Sequence, residues 1–172
     1  MYYGKINDLD IANGKGIRVS LFVSGCRNHC KGCFQPETWD FCFGQPFTTD
    51  TENTIIQHLS KPFISGLTLL GGDPMEPENQ EVLLGFLKRV KKQMPNKDIW
   101  CYTGYTLEQL LDETTHCYCG NTMEMLSLID VLVDGRFIEN QRDISLKYCG
   151  STNQRVIDVQ QTLKNHKIVV YE

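Results

Sequence analysis

The sequence predicts an α/β protein with a mostly parallel sheet, arranged as an open, partial (β/α) barrel. The first observation is that short apolar runs, typical of strands, alternate with segments that carry apolar residues at helical spacing. The second is that two candidate ligand-binding loops directly follow such runs, and ligand sites of parallel sheets lie at the carboxyl ends of strands. The third is length, because 172 residues fall short of the roughly 250 of a closed eight-fold barrel.

Length and composition indicate a single domain over residues 1–172. The chain is 41% hydrophobic, which is enough for one core and short for two. Its net charge is −4, so the composition gives no indication of a basic surface that would bind nucleic acid. The apolar runs are too short to span a bilayer, and no signal-peptide pattern precedes them. We therefore expect a cytoplasmic protein whose eight cysteines are metal ligands or buried thiols and form no disulfides.

The individual elements follow from apolar spacing and from the residues that begin or end helices. Asn13, Gly14 and Gly16 indicate a turn before the first strand. Pro62 ends the first helix, and a capping box that starts at Thr106 begins a later one. In chain order the predicted elements are strand 19–23, helix 49–61, strand 64–70, helix 78–94, strand 98–102, helices from 106 and at 123–128, and strands 129–133, 156–159 and 168–171.

Three cysteines, Cys26, Cys30 and Cys33, lie within eight positions directly after the first predicted strand. Closely spaced thiolates bind soft metal centres, and a structural zinc ion needs four protein ligands, usually as two separated pairs. A [4Fe-4S] cluster held by three cysteines leaves one iron free to bind a small molecule. The zinc alternative stays open, and the candidates for its fourth ligand are His29, Cys42, Cys117 and Cys119.

A second motif, Gly71-Gly72-Asp73-Pro74, follows the strand predicted at 64–70. Two glycines at the end of a strand let a ligand approach the backbone closely, and Asp73 adds a carboxylate acceptor. The simpler interpretation is a strand-to-helix turn in which Asp73 caps a helix and Pro74 is its first residue. Taken by itself, the motif favours the turn over a ligand site.

Both motifs, in this order and with one predicted helix between them, resemble those of radical S-adenosylmethionine enzymes. The spacing CxxxCxxC is the cluster motif of that superfamily, and the glycine motif is its second signature. The superfamily usually has an aromatic residue before the third cysteine, whereas here Gly32 takes that place and Phe34 follows Cys33. This arrangement, together with Asp73-Pro74, is similar to the subgroup that activates anaerobic ribonucleoside-triphosphate reductase.

The resemblance implies a fold and a set of site residues. The fold is the open partial barrel of the radical S-adenosylmethionine type, and the ligands of its [4Fe-4S] cluster are Cys26, Cys30 and Cys33. S-Adenosyl-L-methionine would be bound by Gly32, Cys33 and Phe34 at the adenine and by Gly71, Gly72 and Asp73 at the methionine part. The segment from Asn13 to Arg18 also resembles these activators, which implies a place for Arg18 near the cofactor. No further catalytic residue is implied, because the chemistry needs no acid or base.

The resemblance also implies a reaction and partners. The reduced cluster cleaves S-adenosylmethionine to methionine and a 5′-deoxyadenosyl radical, which takes a hydrogen atom from a glycine Cα of the large subunit of the anaerobic reductase and leaves a glycyl radical. A reductant such as flavodoxin supplies the electron. Nucleic acid and membrane are not expected partners. Two alternatives remain: the same chemistry on another glycyl-radical enzyme or on a small molecule, as in carboxy-deazaguanine synthases, and a zinc-binding module without catalysis.

Overall fold

The structure, a computed structural model, describes all of residues 1–172 and contains seven strands and five α-helices. The strands are β1 (Tyr2–Asp10), β2 (Ile17–Val23), β3 (Gln45–Pro46), β4 (Ile64–Gly71), β5 (Asp98–Tyr102), β6 (Val131–Asp134) and β7 (Arg155–Asp158). The helices are α1 (Thr49–Leu59), α2 (Pro77–Gln93), α3 (Leu107–Leu111), α4 (Thr122–Leu128) and α5 (Val159–Asn165). No helix combines the length and the apolar character needed to cross a membrane.

All seven strands form one open sheet in the order β3-β1-β2-β4-β5-β6-β7. The central strands β2, β4, β5 and β6 are parallel, and helices connect β4 to β5 and β5 to β6, as the predicted βα alternation requires. The pairings at both margins, β3 with β1, β1 with β2 and β6 with β7, are antiparallel. The predicted α/β class and the open sheet are confirmed. The prediction of a mostly parallel sheet is wrong, because the sheet is mixed and only its centre is parallel.

The helices pack against one face of this sheet. Strand β5 illustrates the division, since Ile99 and Cys101 are buried with the helices in the main core while Trp100 lies in a small cluster on the other face. Alternate residues of a strand point to opposite faces, so a central strand that is covered on both sides is apolar throughout. The cavity described below lies on the face opposite the helices, and Tyr102 of β5 lines it.

Two terminal segments differ from the predictions. Residues 1–16 contain strand β1, which forms a hairpin with β2 and leaves the predicted turn between them. Most β1 residues are only half-buried, so the segment lacks the apolar run by which a strand is recognised. The predicted last strand at 168–171 is wrong, since only one isolated bridge joins Val170 to Ile157, and helix α5 precedes it.

Arg18 is a structural residue and does not line the cavity, which overturns its predicted place near the cofactor. Its side chain is fully buried at the start of β2, where Nη1 lies 2.7 Å from Oδ1 of Asp98. Its other nitrogens donate to Oγ1 of Thr68 at 2.7 Å and to the carbonyl of Leu67 at 2.8 Å. A buried cation with several acceptors joins β2, β4 and β5 at one end of the sheet.

Replacing Arg18 with alanine is expected to lower the free energy of unfolding by about 3 kcal/mol, because the acceptors around it lose their donors inside the protein. Arg89→Ala is the matched control, since Arg89 forms a partly exposed pair with Glu52 whose loss costs about 1 kcal/mol or less. Denaturant unfolding of both variants measures the difference. Equal losses for the two arginines would contradict the assignment.

Candidate functional site

A cavity of about 700 Å³ lies at the carboxyl ends of the parallel strands. Cys26, Cys30 and Cys33, in the loop after β2, line it on one side. The turns after β4 and β5 contribute Gly71–Asp73 and Thr103–Gly104, and part of the segment 142–150 also lines the cavity. The two motifs that the sequence analysis singled out therefore meet in one cavity, as ligand-binding loops of a parallel sheet do.

The predicted site residues occupy this cavity with one exception. Phe34 also lines it, is 66% exposed, and packs against Phe137 with ring centroids 5.2 Å apart. Gly32 lies outside the cavity wall and faces the side chain of Glu139, and its φ of +75° is one that favours glycine. The loop between Cys30 and Cys33 is a tight turn, in which the amide of Cys33 donates to the carbonyl of Cys30 at 3.1 Å.

Two of the three thiols, those of Cys26 and Cys30, lie in surroundings that disfavour a bare negative charge. Cys26 is buried, and burial raises its pKa to about 12, with the carboxylate of Asp73 adding to the shift. Burial also raises the pKa of the half-buried Cys30. Cysteine binds metal as the deprotonated thiolate. A cationic centre between these residues would therefore supply the positive charge that stabilises the thiolates.

The positions of the possible ligands bear on the choice between a single zinc ion and a [4Fe-4S] cluster. Nowhere in the 172 residues do three or more His, Cys, Asp or Glu side chains group closely enough to hold a single metal ion. Cysteine ligands of a [4Fe-4S] cluster bind different irons, so they need not converge on a single ion. The candidates for a fourth zinc ligand do not line the cavity: His29, Cys42, Cys117 and Cys119. The cavity therefore offers three thiols and none of the candidate fourth ligands of a zinc ion.

Three backbone hydrogen bonds tie the cysteine loop to its neighbours. The amide of Gly72 donates to the carbonyl of Val23 at 2.7 Å, and the amide of Asp73 donates to the carbonyl of Gly25 at 2.8 Å. The amide of Gly25 donates in turn to the carbonyl of Thr38 at 2.8 Å. A Cβ on Gly72 would lie 2.6 Å from the oxygen of Gly25, so the close approach of the loops requires glycine there.

Asp73 is fully buried beside the cavity. Its Oδ1 accepts a hydrogen bond from the amide of Met75 at 2.9 Å. Its Oδ2 accepts three more, from Nδ2 of Asn28 at 3.0 Å, Oγ1 of Thr103 at 3.1 Å and the amide of Gly104 at 2.9 Å. Burial raises the pKa of this carboxyl to about 7, against the opposing effect of these donors. Asp73 therefore joins the loops that follow β2, β4 and β5.

Asp73 is not the cap of helix α2, and the corresponding turn prediction is wrong. The helix begins at Pro77, with Glu76 at its N-cap position, so Pro74 precedes it by a short turn. Glu76 is fully buried, and its Oε1 accepts hydrogen bonds from the amide of Arg27 and from Oη of Tyr105, both at 2.7 Å. The N-cap residue of α2 thus holds Arg27, the residue next to Cys26.

Two asparagines that the sequence analysis did not single out hold the cysteine loop, Asn28 and Asn79. Nδ2 of Asn79 donates to the carbonyls of Ser24 at 3.0 Å and Asp73 at 2.8 Å. Nε of Arg136 donates to Oδ1 of Asn28 at 2.8 Å across 108 positions of the chain. The only available indication was the place of Asn28 between two cysteines, because the partners are remote in sequence.

Comparisons with known proteins identify the family of this chain. A family model described as "4Fe-4S single cluster domain" matches residues 12–157. The chain is 46% identical over 156 residues to the anaerobic ribonucleoside-triphosphate reductase-activating protein of Pasteurella multocida, covering 90% of this chain and 95% of the relative. The proteins of the same name from Vibrio cholerae and Enterobacteria phage T4 are 44% and 42% identical, with 96% and 93% of each relative covered. The chain belongs to the family of anaerobic ribonucleoside-triphosphate reductase-activating proteins.

Proposed function

We propose that this chain is an S-adenosylmethionine-dependent iron-sulfur enzyme that generates the glycyl radical of an anaerobic ribonucleoside-triphosphate reductase. The observation that carries the proposal is that three cysteines and the Gly71-Gly72 turn line one cavity at the carboxyl edge of the sheet. The names of the relatives point to the reductase as the target. When bound, the reduced cluster supplies the electron that cleaves S-adenosylmethionine to methionine and a 5′-deoxyadenosyl radical, the species that removes a glycine Cα hydrogen atom.

In this proposal Cys26, Cys30 and Cys33 hold the cluster and leave one iron to S-adenosylmethionine. The helix side of the sheet is closed by the main core, so ligands enter the cavity from the opposite side. The residues act by binding and orientation, and the electron chemistry belongs to the cofactors.

The methionine part of S-adenosylmethionine would lie against Gly71 and Gly72, which line the cavity directly after β4. The carboxylate of Asp73 already accepts four hydrogen bonds, three of them on Oδ2. We therefore propose that Asp73 acts first as a positioning residue for the loops around the cofactor, and that only Oδ1 has capacity left for a ligand donor. The adenine would lie beside Cys33 and Phe34, whose ring already stands on the cavity wall.

The open sheet suits a protein substrate. Part of the cavity wall is the irregular segment 142–150, in which Ile144 is 91% exposed. A loop of a large protein can enter such a cavity. We propose the reductase as the protein substrate and a flavodoxin-type protein as the reductant.

Anaerobic reconstitution with iron and sulfide tests the proposal. The loaded protein is expected to bind about four irons and four sulfides per chain, and to release 5′-deoxyadenosine from S-adenosylmethionine under a strong reductant. With the reductase large subunit added, electron paramagnetic resonance should show a glycyl radical, which a reductase lacking its radical glycine would not give.

Three other outcomes would refute parts of the proposal. A colourless protein with one zinc ion would indicate the zinc-binding module. Cleavage of S-adenosylmethionine without a radical on the reductase would indicate another target, either a different glycyl-radical enzyme or a small molecule. Four protein thiolates per cluster would remove the open iron on which the mechanism depends.

A further inference from the structure

The segments 134–137 and 150–155 meet at a second pocket that the proposed chemistry does not use. It has a volume of about 480 Å³ and is lined only by polar residues and glycines. It shares Gly104 and Gly135 with the cavity that holds the cysteines, so the two openings are adjacent. A pocket without apolar side chains suits a polar or charged ligand, because such a ligand needs hydrogen-bond partners when it leaves water.

Most polar groups of this second pocket already have partners. Nη1 of Arg155 donates to Glu108 at 2.9 Å, and Nε donates to Asp134 at 3.0 Å. The two carboxylates of the pocket are thereby paired with one guanidinium. Asn153 donates to the carbonyl of Arg136 at 2.9 Å and accepts from Oγ of Ser151 at 2.7 Å. These groups form the wall of the pocket and offer little to a ligand.

Arg136 is the exception. Its Nε donates to Asn28, but the structure gives its two Nη nitrogens no hydrogen-bond or ion-pair partner, and the residue is exposed at the pocket. A planar guanidinium with free Nη groups matches the two oxygens of a carboxylate. A dianionic phosphate is disfavoured, because the carboxylates of Glu108 and Asp134 line the same pocket.

We infer that this pocket binds a carboxylate side chain of the reductase through Arg136. The inference rests on the proposed function, which requires that a segment of the reductase enter the neighbouring cavity. A protein seated over that cavity also covers the adjacent pocket. Arg136 does not line the cysteine cavity, and its free nitrogens are exposed at the adjacent pocket, where a docked protein can reach them.

The same guanidinium connects the docking contact to the cluster loop. Arg136 holds Oδ1 of Asn28, and Nδ2 of Asn28 holds Asp73 at 3.0 Å. Asn28 lies between Cys26 and Cys30, so a carboxylate that fixes Arg136 also fixes the loop that carries two cluster ligands. Binding of the reductase should therefore restrict the loop that carries Cys26 and Cys30 before any radical forms.

Binding of the reductase large subunit to the cluster-free and the cluster-loaded protein, measured by calorimetry, tests the inference. Arg136→Ala is expected to weaken this binding about tenfold, with a smaller effect at high salt, because a charge pair at the contact is lost. Arg136→Gln removes the charge but keeps a donor for Asn28, and it should show the same loss. Lys92→Ala, which removes an exposed positive charge on α2, is the control and should change the affinity less than about twofold.

Arg136 could bind a carboxylate side chain of the reductase or the methionine carboxylate of S-adenosylmethionine. The affinity for S-adenosylmethionine, measured on the same loaded variants, distinguishes these two ligands. It should fall less in Arg136→Gln, which keeps a donor for Asn28, than in Arg136→Ala, and in Arg136→Gln it should fall less than the affinity for the reductase does. An unchanged affinity for the reductase in both Arg136 variants would overturn the inference, as would a loss of S-adenosylmethionine binding in place of reductase binding. A wild-type protein that binds the reductase through Arg136 yet forms no radical would refute the proposed function and leave the docking contact in place.

Discussion

Replacing Cys30 with alanine is expected to abolish cluster assembly and to lower glycyl-radical formation by more than about 100-fold. Loss of a residue that only supports a metal ligand costs 10- to 100-fold, so loss of a ligand itself should exceed that range. The same result is expected for Cys26 and Cys33, because three ligands are the whole protein contribution to the cluster in the proposed mechanism. Iron and sulfide content, the absorption of the cluster and the yield of 5′-deoxyadenosine measure the effect.

Cys42→Ala is the matched control for this series. Cys42 is exposed and does not line the cavity, and it was a candidate for the fourth ligand of the zinc alternative. Its replacement should leave iron content and activity unchanged. A Cys30→Ala protein that retained a complete, active cluster, or a Cys42→Ala protein that lost it, would show that the ligand set has been assigned to the wrong cysteines.

The parts of the fold that could be predicted are those with one dominant physical signal. Strand β5 was predicted with the bounds that the structure shows, and β4 within one residue, because both are covered on two faces and read as apolar runs. Strand β1 was missed because its half-buried residues mix polar and apolar types. The error at 168–171 has the opposite cause: apolar residues stand there, but only Val170 pairs with the sheet.

The site divides in the same way. The cysteines and Gly71-Gly72 could be placed in one cavity because each motif is local in sequence and each follows a strand. The residues that hold them could not, because contacts such as Arg136 with Asn28 join remote parts of the chain. Local spacing shows which atoms can bind a cofactor, whereas the residues that orient those atoms depend on how the strands are ordered.

Replacing Gly72 with alanine should have the second largest effect. The added Cβ would stand 2.6 Å from the carbonyl oxygen of Gly25 and 2.9 Å from that of Thr38. Both contacts are to backbone, so no flexible side chain can move away and the two loops must separate. We expect the free energy of unfolding to fall by about 2–4 kcal/mol, as for other overpacked sites. Denaturant unfolding of the cluster-free protein measures this loss.

The same substitution should weaken the binding of S-adenosylmethionine by about tenfold or more, because a displacement that costs 1.4 kcal/mol at the site already has that effect. The amides of Gly72 and Asp73 donate to the carbonyls of Val23 and Gly25, so separating the loops also moves the chain that leads to Cys26. Titration of the loaded variant with S-adenosylmethionine, followed by the change in the cluster's paramagnetic spectrum, measures the affinity.

Gly85→Ala distinguishes this steric effect from a general cost of replacing glycine. Gly85 is exposed in the middle of α2, and a Cβ there would meet nothing within 4 Å. Alanine should stabilise that helix by about 0.5–1 kcal/mol and leave the binding of S-adenosylmethionine unchanged. If Gly72→Ala behaved like Gly85→Ala, the tight contact between the cysteine loop and the glycine turn would not be what shapes the cofactor site. If only the Gly72 variant lost stability and affinity together, close backbone packing would explain why two glycines stand at the end of β4.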